Sequence, residues 1–229
     1  MDTLDTRIFQ KFGQYNVVRW SDERISLRSG GESHVYVSGR EDFTDHPDLL
    51  EFLGLKMAVL VSEQSMDTNR QPCCIGIPTA GPALAQAASM VSQQERKYPY
   101  SRVRRTVCFR TMREAVKSHG LHADSWMNGV ADVEHHTYWL VDNAITTGAS
   151  VQEARAKLLE SGYPTEDISV LLMVDLQQGG VEKLREVGFS RIVVAYTIVE
   201  IVEFLTEAKH WPNVRLEQLR KDIQVPELV

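Results

Sequence analysis

The chain has 229 residues, 43% of them hydrophobic, and a formal net charge of −6. That length supports one sizeable domain, burying roughly 70% or more of the surface its unfolded chain exposes. The acidic balance and the absence of any Lys or Arg run argue against a nucleic-acid or membrane-surface partner, while a small phosphorylated ligand needs only local positive charge.

In chain order, MDTLDTRIFQ is acidic and amphipathic, reads as an N-terminal helix and is unlike a signal peptide. No apolar run reaches the roughly 18 residues that span a bilayer, so a cytoplasmic setting is expected. Arg24–Ser38 predicts a hairpin: Ile25 with Leu27 and Val35 with Val37 alternate around a Ser29-Gly30-Gly31 turn. Asp48–Val61 predicts a helix. Residues 1–62 are therefore expected to form a hood over the rest, not an independent domain, and residues 63–229 an α/β core. Within that core, apolar β-branched runs predict strands at Cys73–Ile77, Val107–Phe109, Trp139–Val141, Val170–Val174 and Ile192–Tyr196. Helical periods follow at Pro82–Val91, Ser150–Ser161 and Gly180–Val187. Thr197–Glu207 predicts a last core-facing helix, with Ile198, Ile201, Val202 and Leu205 on one face. Strands alternating with helices imply a central, mostly parallel sheet flanked by helices. The stretch Arg110–Val133 lacks a long apolar run, and a loop of that length inside a compact domain is usually functional or disordered. Trp126 is expected to pack its returning end, and His135 and His136 carry no assignment. Cys73, Cys74 and Cys108 are too few and too poorly spaced for a disulfide framework or a zinc site, and read as small buried hydrophobes.

The densest chemical signal is YWLVDNAITTGAS, residues 138–150. An apolar strand ends at Asp142 and Asn143, and Thr146-Thr147-Gly148-Ala149-Ser150 leads into a helix. Unpaired amides at a helix N-terminus bind phosphate well, Thr and Ser hydroxyls add donors, and Gly148 permits close backbone approach. An ordinary N-capped helix has the same composition, so the loop alone leaves both readings open. The GxxxxGK[ST] pattern is absent, which sets nucleoside triphosphate P-loops aside.

With Asp142 ahead of it, the segment resembles the signature of the type I phosphoribosyltransferases, in which two acids precede T-T/A-G-x-[ST]. Other segments resemble orotate phosphoribosyltransferase. ISLRSGGESHVYV (25–37) is similar to its N-terminal hairpin, with Arg28 at a basic position and Tyr36 at an aromatic one. GIPTAGPALA (76–85) resembles the turn that helps hold pyrophosphate, and places Thr79, Ala80 and Gly81 there. REAVKSHG (113–120) resembles the mobile catalytic loop, matching at Arg113, Lys117, His119 and Gly120. MVDLQQGG (173–180) resembles the segment lining the base pocket, which brings in Gln177, and YTIVEIVEFL resembles the closing helix. The likeness covers about residues 8–207.

The resemblance implies a type I phosphoribosyltransferase fold with an N-terminal hood. It implies transfer of ribose 5-phosphate from phosphoribosyl pyrophosphate to orotate, with pyrophosphate released. Asp142 and Asn143 would hold the ribose diol, and Ala144, Thr146, Thr147, Gly148, Ala149 and Ser150 the 5-phosphate. Arg113, Lys117 and His119 would neutralise the leaving group. Mg²⁺ held mainly by substrate and water, with no direct side-chain ligand, and a homodimer sharing the catalytic loop are implied as well. Four residues depart from the pattern: Asn143 for the second acid, Glu114 for a basic loop residue, and Leu176 and Gln178 for the Arg and Glu of the base segment. They keep two alternatives in view, a transferase for another base and a phosphoribosyl pyrophosphate-binding regulator.

Overall fold

The computed structural model describes residues 3–26, 32–39, 41–66, 68–96, 101–116, 125–164 and 166–223. The chain begins with α1 (Thr3–Gln14), whose Ile8, Phe9 and Phe12 form one buried face. Strands β1 (Val18–Ser26) and β2 (Glu32–Val37) pair antiparallel, with a register irregularity between Trp20 and Ile25. The hairpin expected from sequence is present, its first strand starting earlier than Arg24, and its Ser29–Gly31 turn lies outside the described residues. A short α2 (Glu41–Asp45) leads to α3 (Pro47–Gln64), where Pro47 occupies the first turn, the position at which its missing N–H costs nothing.

The remainder alternates strand and helix as the sequence predicts. In order come β3 (Gln71–Gly76), α4 (Gly81–Glu95), β4 (Cys108–Thr111), β5 (His136–Ile145), α5 (Ala149–Glu160), β6 (Ser169–Asp175), α6 (Gly180–Glu186) and β7 (Ile192–Thr197). They are followed by α7 (Ile198–Glu207) and α8 (Asn213–Ile223). Five parallel strands lie in the order β4-β3-β5-β6-β7, which puts β5 at the centre. Parallel strands are covered on both faces and alternate their side chains between them. Trp139, Val141, Leu171 and Met173 accordingly pack with α1, α3, α4 and α7, whereas Tyr138, Leu140, Val170 and Leu172 pack with α5 and α6. Burial raises the thiol pKa of Cys74, and hydrogen bonding with Cys108 together with burial raises that of Cys73, which keeps both as protonated core groups.

The N-terminal elements share the first of these cores. Asp5 on α1 accepts from Lys56 Nζ (2.8 Å) and from the Tyr196 hydroxyl (2.6 Å), and Phe9 meets the Tyr196 ring edge-on. Helices α3 and α4 approach closely at Gly54, where an added Cβ would stand 2.8 Å from the Ala87 carbonyl carbon. Helix α7 has a full capping box, Thr197 accepting from the Glu200 amide while the Glu200 carboxylate accepts from the Thr197 amide. Helix α8 was not predicted; it packs on α7 and β2 and buries only Leu219. Among the described residues no helix is long and apolar enough to cross a membrane.

Two outcomes follow. Gly54→Leu forces a side chain into backbone contact and should lower unfolding free energy by about 1–3 kcal/mol in a denaturant titration. Asp48, hydrogen-bonded by Lys11 and by the Tyr15 hydroxyl at 2.8 Å, has its pKa lowered to about 2. A depressed carboxylate stabilises the fold above its unfolded pKa and loses that contribution as pH falls towards its folded one. Asp48→Asn should therefore flatten the loss of stability between about pH 4 and pH 2, read as melting temperature against pH.

Candidate functional site

At the carboxyl ends of β3 and β5 a cavity of about 520 Å³ opens between α4 and α5. Its floor is the loop Thr146-Thr147-Gly148-Ala149-Ser150, with Ala144 ahead of it and Thr79 on the facing turn. The loop folds this way because Gly148 takes the left-handed conformation, φ +77°, directly before α5. Helix α5 has no side-chain cap, nor have α4 and α6, which begin at the ends of β3 and β6. The first amides of α5 have no side-chain cap to take them up, in contrast to the closed cap of α7.

The surrounding turns fold onto β5. Ile77 N donates to Val141 O at 2.8 Å and Gly81 N to Ile77 O at 3.0 Å, while a Cβ on Gly81 would collide with the Val141 carbonyl. The Pro78–Thr79 peptide is cis. Thr79 lines the cavity, and Ala80 and Gly81 form the start of α4 beside it.

Asp142 is buried. Its Oδ1 accepts from the Asn143 amide (2.8 Å) and its Oδ2 from Ser150 Oγ (3.1 Å), which ties β5 to the loop Thr146–Ser150. Asn143 turns to the opposite face, where a Cβ on Gly39 would collide with its amide nitrogen and lie 3.1 Å from Phe43 Cε2. Neither side chain lines the cavity; both sit within two residues of Ala144, which does. Arg113 staples the base of the long loop: its amide donates to Trp126 O (2.7 Å) and its guanidinium to Ser125 O (2.9 Å) and Asn128 Oδ1 (2.5 Å). Arg113 thus holds the loop's two ends together, and its neighbours Met112 and Glu114 line the cavity. Trp126 packs the returning end as expected, its indole N–H donating to Glu160 (2.6 Å). Tyr36 lies on β2 paired with Arg19 and is 40% exposed, away from the cavity. Gln177 adopts φ +56° after β6; its amide donates to Asp175 (2.7 Å) and its side-chain oxygen accepts from Val199 N at 3.4 Å. Burial raises the pKa of that Asp175. Arg28, Lys117 and His119 lie outside the described residues.

Two cavity residues escaped the sequence reading. Glu153 and Lys157 follow Ser150 by one and two helical turns on the same face of α5, and Lys157 is held by Glu153 (2.7 Å) with its ammonium 4.7 Å from the Trp126 ring centroid. Their spacing from Ser150 was the signal that could have found them.

The fold is that of the type I phosphoribosyltransferases. It superimposes on orotate phosphoribosyltransferase from Aeropyrum pernix with a TM-score of 0.59, at 23% identity, over 87% of this chain and 98% of that one. In sequence the chain is 27% identical over 175 residues to the orotate phosphoribosyltransferase of Nostoc sp., covering 76% of this chain and 75% of that protein. The structure of Leishmania donovani UMP synthase aligns with a TM-score of 0.72 at 16% identity over 96% of this chain, which spans 42% of that longer one. No family model matches the chain. The resemblance drawn from the motifs, to the type I phosphoribosyltransferases and within them to orotate phosphoribosyltransferase, is thus met in both sequence and fold.

A side chain at Gly148 is strained at that φ and would stand 2.9 Å from Leu184 Cδ2. Gly148→Val should weaken binding of ribose 5-phosphate by about tenfold or more in a calorimetric titration, the loop amides no longer converging on one anion.

Proposed function

We propose that the chain transfers ribose 5-phosphate from phosphoribosyl pyrophosphate to a ring nitrogen of orotate, giving orotidine 5-monophosphate and pyrophosphate. The observation that carries this reading is the uncapped, left-handed entry to α5 at the floor of the cavity, one turn from Asp142. The 5-phosphate sits on the amides and hydroxyls of Thr146–Ser150. On this reading Asp142, anchored by Ser150 next to the cavity, accepts from the ribose hydroxyls, and the Asn143 carbonyl joins it on turning from Gly39. As the C1–O bond breaks, its electron pair leaves on pyrophosphate and the ring gains oxocarbenium character, which the Asp142 charge favours. The orotate nitrogen then bonds to C1 and its proton passes to solvent. Loop residues Lys117 and His119, with Arg113 fixing the loop base, neutralise the departing pyrophosphate and keep water from the cation.

Mg²⁺ fits this chemistry. Among the described residues no cluster of three acidic, His or Cys side chains is built to hold a metal, and the donors around the cavity, Glu114, Glu153 and the Thr hydroxyls, are hard oxygens. Such a site suits an ion that arrives on pyrophosphate with most of its waters, and it would supply charge neutralisation there. A cytoplasmic homodimer, each subunit lending its loop to the other's site, completes the proposal.

A second reading is favoured by Leu176, which stands where the base segment would carry an Arg suited to a carboxylate, and by Asn143: a transferase for another base, or a phosphoribosyl pyrophosphate-binding regulator. Loss of orotate absorbance with phosphoribosyl pyrophosphate and Mg²⁺ separates them. Wild type should consume orotate, Asp142→Ala should fall by about 100-fold or more, and Asn143→Asp should raise the rate. Calorimetric binding of phosphoribosyl pyrophosphate without orotate loss at micromolar enzyme would replace this proposal with one of the alternatives, and pyrophosphate release on screening other bases would choose between them.

A further inference from the structure

We propose that Arg24 and His34 of the hairpin receive the acidic group of the acceptor, and that Asp222 of α8 occupies their grip in the closed structure, so that α8 lifts when the acceptor binds. The inference rests on the transferase reading and concerns the acceptor side of the same site.

In an open parallel sheet, ligands lie beyond the carboxyl ends of the strands. The segment after β6 is in direct contact with the phosphate loop: Leu176 N donates to Ile145 O at 3.0 Å, and a Cβ on Gly180 would collide with the Thr146 carbonyl. Leu176 and Gln178 of this segment face β2 across a cleft whose remaining walls are Ser33, Leu219, Asp222 and Ile223. With α8 seated the cleft holds about 20 Å³, room for a single water and far too little for a heterocycle. Helix α8 lies past residue 207, where the motif-bearing span ends, and it is what fills this space.

Asp222 is bound there like a ligand. Arg24 Nη2 donates to its Oδ1 at 2.9 Å, Gln218 Nε2 donates to the same oxygen at 3.0 Å, and His34 Nε2 stands 3.9 Å from Oδ2. Oδ2 is buried and has no hydrogen-bond partner, so the carboxylate sits in the cleft at a desolvation cost that favours exchange. The receiving side is braced independently of Asp222. His34 stacks on Trp20 with centroids 5.1 Å apart and planes 10° apart, and its Nδ1 lies 2.9 Å from the Ser21 carbonyl, which turns Nε2 toward the cleft. Trp211, in the link between α7 and α8, meets Trp20 edge-on, and Arg215 covers both rings. The segment before α8 is pinned to the hairpin, while its far end carries the carboxylate. Leu176 brings no charge, so Arg24 is the cation that grips Asp222, with His34 beside it, and an acceptor carboxylate would take the place of the Asp222 carboxylate there. Glu32, exposed at the cleft mouth, faces solvent beside them.

The test uses the full chain and calorimetry. Phosphoribosyl pyrophosphate is titrated first; orotate, and uracil as the same ring without a carboxylate, are then titrated with pyrophosphate present. Asp222→Asn should bind orotate about tenfold more tightly than wild type, since the competing carboxylate is gone. Arg24→Gln should bind it about tenfold more weakly with uracil unchanged, and Arg24→Lys should recover part of the loss. Unchanged or weaker orotate binding by Asp222→Asn, or an equal loss of uracil and orotate in Arg24→Gln, would overturn the inference. Binding of phosphoribosyl pyrophosphate with no orotate binding in wild type or Asp222→Asn would overturn it too, while leaving the phosphate site intact. No phosphoribosyl pyrophosphate binding by any form would instead remove the transferase reading on which it stands.

Discussion

Strand β5 is apolar on both faces from Tyr138 to Val141 and turns polar at Asp142 and Asn143, before it stops at Ile145, and the rest of the molecule is arranged around that change. As the central strand of a parallel sheet it has helices above and below. Tyr138 to Val141 are buried whichever way they point. Asp142, still paired in the ladder with Leu172, takes its bonds from its neighbour's amide and from Ser150. The turns after β3 and β6 close onto the same strand end through glycines whose Cβ atoms would meet carbonyl oxygens. Helices α4, α5 and α6 begin around this point without side-chain caps, and the head of α5 forms part of the cavity wall.

Electrostatically the cavity is less positive than a pyrophosphate site would suggest. Glu114 and Glu153 face it, and Lys157 is already engaged by Glu153. Backbone dipoles and hydroxyls therefore carry much of the attraction for an anion among the described residues, a form of binding that needs no side-chain reorganisation. Asn143 fits a different constraint. It lies against the backbone at Gly39, under the segment that joins the hairpin to α2, where an uncharged amide is accommodated without a counter-ion.

The core of this arrangement was legible in sequence because its signals are periodic or local. Apolar, β-branched runs marked the five sheet strands, and the Thr-Gly-Ser loop marked the head of α5. Most of what was missed lacked such a signal. Strand β1 extends back to Val18 through largely exposed polar residues, so only its last turn before the hairpin looked like a strand. Helix α8 carries a short apolar stripe, Leu216, Leu219 and Ile223, that the sequence reading passed over; only Leu219 is fully buried, and the helix lies past the motif-bearing span. Sequence similarity aligned Arg113 with a catalytic loop, but not the fact that Ser125 and Asn128 would claim its guanidinium. Such partners are set by how the returning strand packs, which is a tertiary matter.

The two ends of the chain meet the middle of the fold through bonds of very long sequence separation: Asp5 to Tyr196 spans 191 residues and Arg24 to Asp222 spans 198. Closing such loops is entropically costly until the intervening sheet exists, and it slows folding in proportion to the non-local share of contacts. The hairpin therefore meets α8 late, whereas α1 has an earlier partner in α3, through Asp5 with Lys56 and Tyr15 with Asp48. During synthesis from the N-terminus, α3 shelters part of the Ile8, Phe9 and Phe12 face before Tyr196 and Phe204 arrive to complete its cover. Helix α1 thus commits to the fold in two stages, first to α3 and then to β7 and α7.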